Sequence, residues 1–179
     1  YKGHYHPSNA ILLTFGNLPV SQHHDVFERE ALGRFEKSSE QIEVGLEVPF
    51  SEPRRAAHCY ALEDTDTADK THLIMGWKLG ESSDLDTLLE AQLLSSVLME
   101  NSASPLMQWL ETNDLGAAPS PLCGLEDSMR EMVLCCGIEG SNEEHANAFE
   151  TQVLDVIRAV SDDGVSPERL EAILHQIEL

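Results

Sequence analysis

The side chains able to do chemistry are plentiful in this chain, but their spacing does not assemble a reaction centre. Eight His, four Cys and 32 Asp plus Glu in 179 residues are the raw material for a metal site, a thiol nucleophile or a general acid and base. A metal site needs three or four convergent ligands. His4-x-His6 and the pair His23-His24 each lack a third partner at helix or strand spacing. The run Ser141-Asn142-Glu143-Glu144-His145 matches the end of the H-x-x-E-H pattern, in which two His on one helix face bind zinc and the Glu activates water. Ser stands where the first ligand belongs, and the same residues read as an S-x-x-E capping box that assigns Glu144 to the backbone. Ser95, Ser96, Ser102 and Ser104 lie in no G-x-S-x-G elbow. Composition permits a Cys–His pair, but no spacing assigns one, and no glycine-rich nucleotide motif is present. The expectation is no catalytic residue, no metal ligand and no cofactor within this chain.

Cys59, Cys123, Cys135 and Cys136 show no C-x-x-C spacing, which favours a reducing, intracellular compartment, either cytoplasm or organelle matrix. Cys135 and Cys136 are adjacent in an apparent strand, so their side chains should point to opposite faces as core fillers. The net charge of -21 argues against nucleic acid, whose phosphates require clustered Lys and Arg. It suits cationic peptides, drawn in by an attraction that salt weakens; an acidic surface without ligand meaning is the other reading. The longest apolar runs are too short to span a bilayer, so no membrane partner is expected.

These residues need elements to position them. Residues 11–15 (Ile-Leu-Leu-Thr-Phe) read as a buried strand, and residues 21–37 as a helix with Phe27, Ala31 and Phe35 on one face. Residues 38–53 carry two Pro and no sustained period, which marks a linker. Residues 55–62 and 72–79 follow as two strands joined by an acidic turn, 63–69. A long helix capped by Ser83 carries Leu85, Leu88, Leu89, Leu93, Val97 and Leu98 as an apolar stripe. A short helix over 105–111 comes next, then strands over 122–126 and 131–138. A helix runs from the capping box to about Ser161, and a last one opens at Ser166-Pro167. The order β-β-α-α-β-β-α-α predicts an α+β fold, a mainly antiparallel sheet with helices packed on one face.

The segment Tyr5-His6-Pro7-Ser8-Asn9-Ala10, followed by the strand ending Thr14-Phe15-Gly16-Asn17 and then Leu18-Pro19, is similar to part of the presequence proteases. These are a branch of the pitrilysin/insulinase zinc metallopeptidases. The similarity continues in Ser104-Pro105-Leu106, in Leu115-Gly116 and in the run from Glu168 to Glu178. It implies a parent with four related α/β domains around a closed peptide chamber, and an H-x-x-E-H zinc motif upstream of this chain. The helix matching the zinc helix reads Ala91-Gln92-Leu93-Leu94-Ser95-Ser96-Val97-Leu98 and offers no ligand. The abrupt ends fit a piece of that longer protein: 1–37 as the end of one domain, 38–53 as linker, and 54–179 as a second, non-catalytic domain truncated at its C-terminus. The partners implied are the remaining domains and basic peptide substrates, with zinc held by the parent.

In some relatives the sheet edge of the second domain anchors a peptide as an added strand, through main-chain hydrogen bonds. The matching residues are Leu122, Cys123, Gly124 and Leu125, with Gly124 allowing close backbone approach; an ordinary strand with a glycine bulge is the alternative. A sheet cut short exposes an edge, so an edge-strand dimer, or occupation of the edge by residues 11–15, is expected. Two other readings stand beside the chamber wall: a scaffold protein of the same superfamily, and an acidic peptide-binding module.

Overall fold

The computed structural model describes residues 3–40, 42–63 and 66–177. The chain separates into two units, Tyr1–Gly45 and Leu46–Leu179.

In the first unit the Tyr5-to-Ala10 segment builds a tight 3₁₀ turn, Pro7–Asn9. His6 Nδ1 accepts the Ser8 N–H at 3.1 Å, and Ser8 Oγ accepts the Ser38 N–H at 3.0 Å. The imidazole is therefore committed to the turn. Residues 11–15 depart from expectation, because they form no strand. Ile11 and Phe15 are 95% and 101% exposed, since an apolar run becomes a strand only by pairing with another. Helix α1, Val20–Glu30, is shorter than the 21–37 expected. It gives way to a 3₁₀ turn, Leu32–Arg34, around Gly33, where a Cβ would lie 2.8 Å from the Glu28 carbonyl oxygen.

The second unit is built on an antiparallel sheet. Strand β1 (Thr71–Glu81) pairs along its length with β4 (Glu131–Ser141). The other side of β4 takes two short strands, β2 (Ala118–Pro119) and β3 (Gly124–Glu126). Met132, Leu134, Cys136 and Ile138 of β4 are buried on one face, and Leu73, Met75, Trp77 and Leu79 of β1 pack beside them. Against that face lie α2 (Leu85–Met99), α3 (Pro105–Thr112) and α4 (Ala146–Asp163), contributing Leu98, Met99, Leu106, Leu110, Phe149 and Val153 to one core. Helix α5 (Pro167–Ile177) closes the layer against α2. The fold is α+β, with helices on one sheet face.

Several local expectations are corrected. Residues 55–62 run without ladder pairing. They are held instead by side chains: Arg55 Nε donates to Glu150 at 2.9 Å, and the Tyr60 hydroxyl donates to the Lys70 carbonyl. The acidic turn expected at 63–69 includes Asp64 and Thr65, which lie outside the described residues. Its last residue, Asp69, adopts φ 54°, a conformation short polar side chains tolerate. It exchanges hydrogen bonds with Asn142 at 3.0 and 2.7 Å. Helix α2 is capped by Asp84, not Ser83; the carboxylate accepts from the Asp86 and Thr87 N–H groups at 3.1 and 3.3 Å. Leu85 and Leu89 of the expected stripe are exposed. The capping box does not form, because Ser141 is the buried last residue of β4. A 3₁₀ turn, Glu143–His145, separates it from α4.

Candidate functional site

The four residues expected at the peptide-binding edge lie on the β2–β3 side of the sheet. Only Gly124 and Leu125 belong to β3; Leu122 and Cys123 precede it. Gly124 pairs with Cys135 and Leu125 with Leu134. Gly124 has φ 127°, a region that disfavours any side chain. Between β2 and β3 the ladder is interrupted, and the Gly137 peptide groups find substitutes. Its carbonyl accepts from the Ser120 N–H at 2.8 Å and from the Cys123 thiol at 3.4 Å, while its N–H donates to Cys123 Sγ at 3.3 Å. Cys123 is thus a fastener between the two short strands. Leu122 is 65% exposed, and no further strand pairs with β3 among the described residues.

Beside β3 lies an open cleft of about 380 Å3, lined by Gln92, Ser95 and Ser96 of α2, Leu125, Asp127 and Ile177. It brings hydroxyls, an amide and one carboxylate together, with no His or Cys to activate them. A cleft in the first unit, about 460 Å3, is lined by His24, Asp25 and Glu28 among apolar neighbours. Among the described residues no three His, Cys, Asp or Glu converge to hold a metal ion.

Ser141 and His145 do meet, but not as a nucleophile and its base. Ser141 Oγ donates to the Leu115 carbonyl at 2.6 Å. His145 Nδ1 reaches the same oxygen at 3.0 Å, and a carbonyl only accepts, so that nitrogen carries its proton. Both donors are spent fixing residue 115 to the end of β4. The thiols of Cys123, Cys135 and Cys136 are equally unsuited. Burial pushes Cys136 up to about 12, and burial likewise raises Cys123 and Cys135. A thiol that stays protonated is a poor nucleophile and ligand.

Residues 1–177 match the family described as the peptidase M16 inactive domain. The chain belongs to that family. It is 31% identical to the mitochondrial presequence protease of Danio rerio over 98% of its own length and 17% of the relative's. The corresponding figures for the Aspergillus oryzae presequence protease are 32%, 99% and 18%. For that of Xenopus laevis they are 29%, 98% and 17%. The chain therefore spans less than a fifth of the length of these curated relatives.

As an M16 inactive domain the chain has a coherent interior. Ala91, Val97, Leu98 and Met99 of α2 are buried, and Gln92 donates to Asp127 at 3.4 Å. The C-terminal part of the helix packs into the core, while Leu85, Leu89 and Leu94 stay exposed. Sequence reasoning overlooked one pairing, Lys78 with Glu131. No spacing signal links residues so far apart; only the β1–β4 pairing joins them.

Proposed function

We propose that this chain is a non-catalytic chamber-wall segment of a zinc-dependent metallopeptidase that degrades short, unstructured peptides. The observation that carries it is the match to an inactive peptidase domain along residues 1–177. Zinc and its activated water belong to other parts of the parent. Among the described residues no set of three ligands converges to hold the ion, and no hydrolytic step is assigned to them.

In this reading 1–37 closes one domain, 38–53 links, and 54–179 forms the wall. Its partners are the remaining domains of the parent, for which the exposed Ile11, Leu13, Phe15, Leu85 and Leu89 are natural contact points. In isolation the unpaired side of β1 favours an edge-strand dimer. The names of the relatives support an organelle-matrix location, and no described helix is long and apolar enough to cross a membrane. The substrates are basic peptides, attracted by the net charge of -21.

The wall would hold such peptides at the β3 edge, at Leu122, Cys123, Gly124 and Leu125, through main-chain hydrogen bonds. Gly124→Pro removes an N–H and imposes a backbone that φ 127° does not match. Leu122→Lys places a cation that repels a basic peptide at an exposed position and leaves the core intact. Both substitutions should weaken capture of a basic peptide, read by fluorescence anisotropy, with Leu122→Lys keeping the native circular dichroism spectrum. Unchanged affinity in both removes the edge from the account.

A further inference from the structure

The sheet face turned away from the helices carries an arrangement that none of the preceding chemistry uses. Lys78 of β1 and Glu131 of β4 meet at 2.9 Å on that face. Each also holds one end of the same residue: Glu131 accepts the Glu47 N–H at 2.6 Å, and Lys78 Nζ donates to the Glu47 carbonyl at 2.7 Å. A cation and an anion together satisfy the donor and the acceptor of one residue in an extended segment. Their side chains are only 31% and 16% exposed, so the pair is partly shielded rather than loose in solvent. The same face is low beside the pair. Gly76, two residues before Lys78, has no side chain, and a Cβ there would lie 3.4 and 3.5 Å from Cys135 and Val133.

We propose that Lys78 and Glu131 form a main-chain clamp for an extended peptide, occupied here in cis by Glu47 and open to an incoming unstructured basic peptide. The clamp reads N–H and C=O, which every residue except Pro supplies, and is therefore indifferent to side-chain sequence. Both bonds are charge-assisted, the stronger kind. The occupant follows from what already sits there, an extended stretch of polypeptide gripped by its backbone. A strongly acidic chain favours a basic peptide as the one that displaces it. The self-segment then acts as a placeholder, keeping the clamp satisfied until a peptide arrives. This inference rests on the reading of the chain as a peptide-holding wall and adds a second grip, on a different face from the β3 edge.

The test uses the 179-residue chain and a short, fluorescein-labelled peptide rich in Lys and Ser and free of Pro, followed by anisotropy. Glu47→Pro deletes the N–H that Glu131 accepts and should tighten peptide binding about tenfold by vacating the clamp. Adding Lys78→Met or Glu131→Gln to that variant should weaken binding by about the same factor, since each removes or neutralises one charged partner. An N-methylated copy of the peptide should bind the Glu47→Pro variant less well than the parent peptide. Melting curves confirm that each variant is folded, and Glu131→Gln, the nearly isosteric change, stands in if Lys78→Met is not. Equal affinity across these variants, with Leu122→Lys still weakening binding, overturns the clamp and leaves the wall reading in place. No binding by any variant overturns both.

Discussion

The Glu131 carboxyl lies below its ordinary range. The chief cause is its hydrogen bond from Lys78, followed by the Glu47 N–H and the charges of Lys78 and Arg130, with burial opposing. Glu81, its partner across the β1–β4 ladder, is engaged by Arg130 at 3.3 Å. A carboxylate with a depressed folded value lends stability that is fully present above the unfolded value and lost as pH falls through the folded one. The Glu47 amide resonance should therefore titrate with a midpoint below the ordinary carboxylate range. Lys78→Met should move that midpoint upward. A midpoint at or above the ordinary range in the natural chain contradicts the arrangement. His4-x-His6 and Ser141-to-His145 lacked ligand spacing, and the structure gives His6, Ser141 and His145 backbone duties. Lys78 and Glu131 were not legible, because a contact between two strands distant in sequence depends on register, which no local pattern encodes.

Elements were legible where their own residues supply what they need. Helices α3 and α5 begin at Ser-Pro pairs, with Pro at a position whose N–H has no helical partner. Strand β4 was visible as an unbroken apolar run from Met132 to Ile138. Elements that depend on a partner were not: residues 11–15 and 55–62 have strand composition but no ladder. The capping box failed because Ser141 was already required as the end of β4, its hydroxyl bonded to the Leu115 carbonyl. One tertiary link between helices gives a direct test. Arg169 of α5 donates Nη2 to the Val97 carbonyl and to Ser104 Oγ, both at 2.9 Å, and Nη1 to the Ala103 carbonyl at 3.4 Å. It caps the last turn of α2 and fastens α5 to it, the favourable place for a cation on a helix. Arg169→Ala should cost roughly 1.5–3 kcal/mol, the range for hydrogen bonds to a charged group, measured by urea unfolding. Amide exchange should accelerate first in α5. Unchanged stability and protection would show that α5 is held by Ile173 and its apolar neighbours alone.

At the scale of the whole chain, an acidic surface, a sheet with one face covered by helices, and an exposed apolar segment all fit a part that works against other parts. Membership in the M16 inactive-domain family agrees with this, as does a core in which α2 serves packing. The resemblance to presequence proteases was carried by Tyr5-His6-Pro7-Ser8-Asn9-Ala10, and the structure shows why that string is recognisable: it builds a turn in which His6, Ser8 and Asn9 each make a defined bond. The proposed clamp at Lys78 and Glu131 had no counterpart in the sequence, since strand register is carried by no motif. The measurement that bears most directly on the central claim is incubation of the chain with an unstructured basic peptide, with and without added zinc, at low and physiological salt. Anisotropy would report binding and mass spectrometry cleavage. The account predicts binding that weakens as salt rises, with the peptide intact in every condition; zinc-dependent cleavage, or no binding even at low salt, would contradict it.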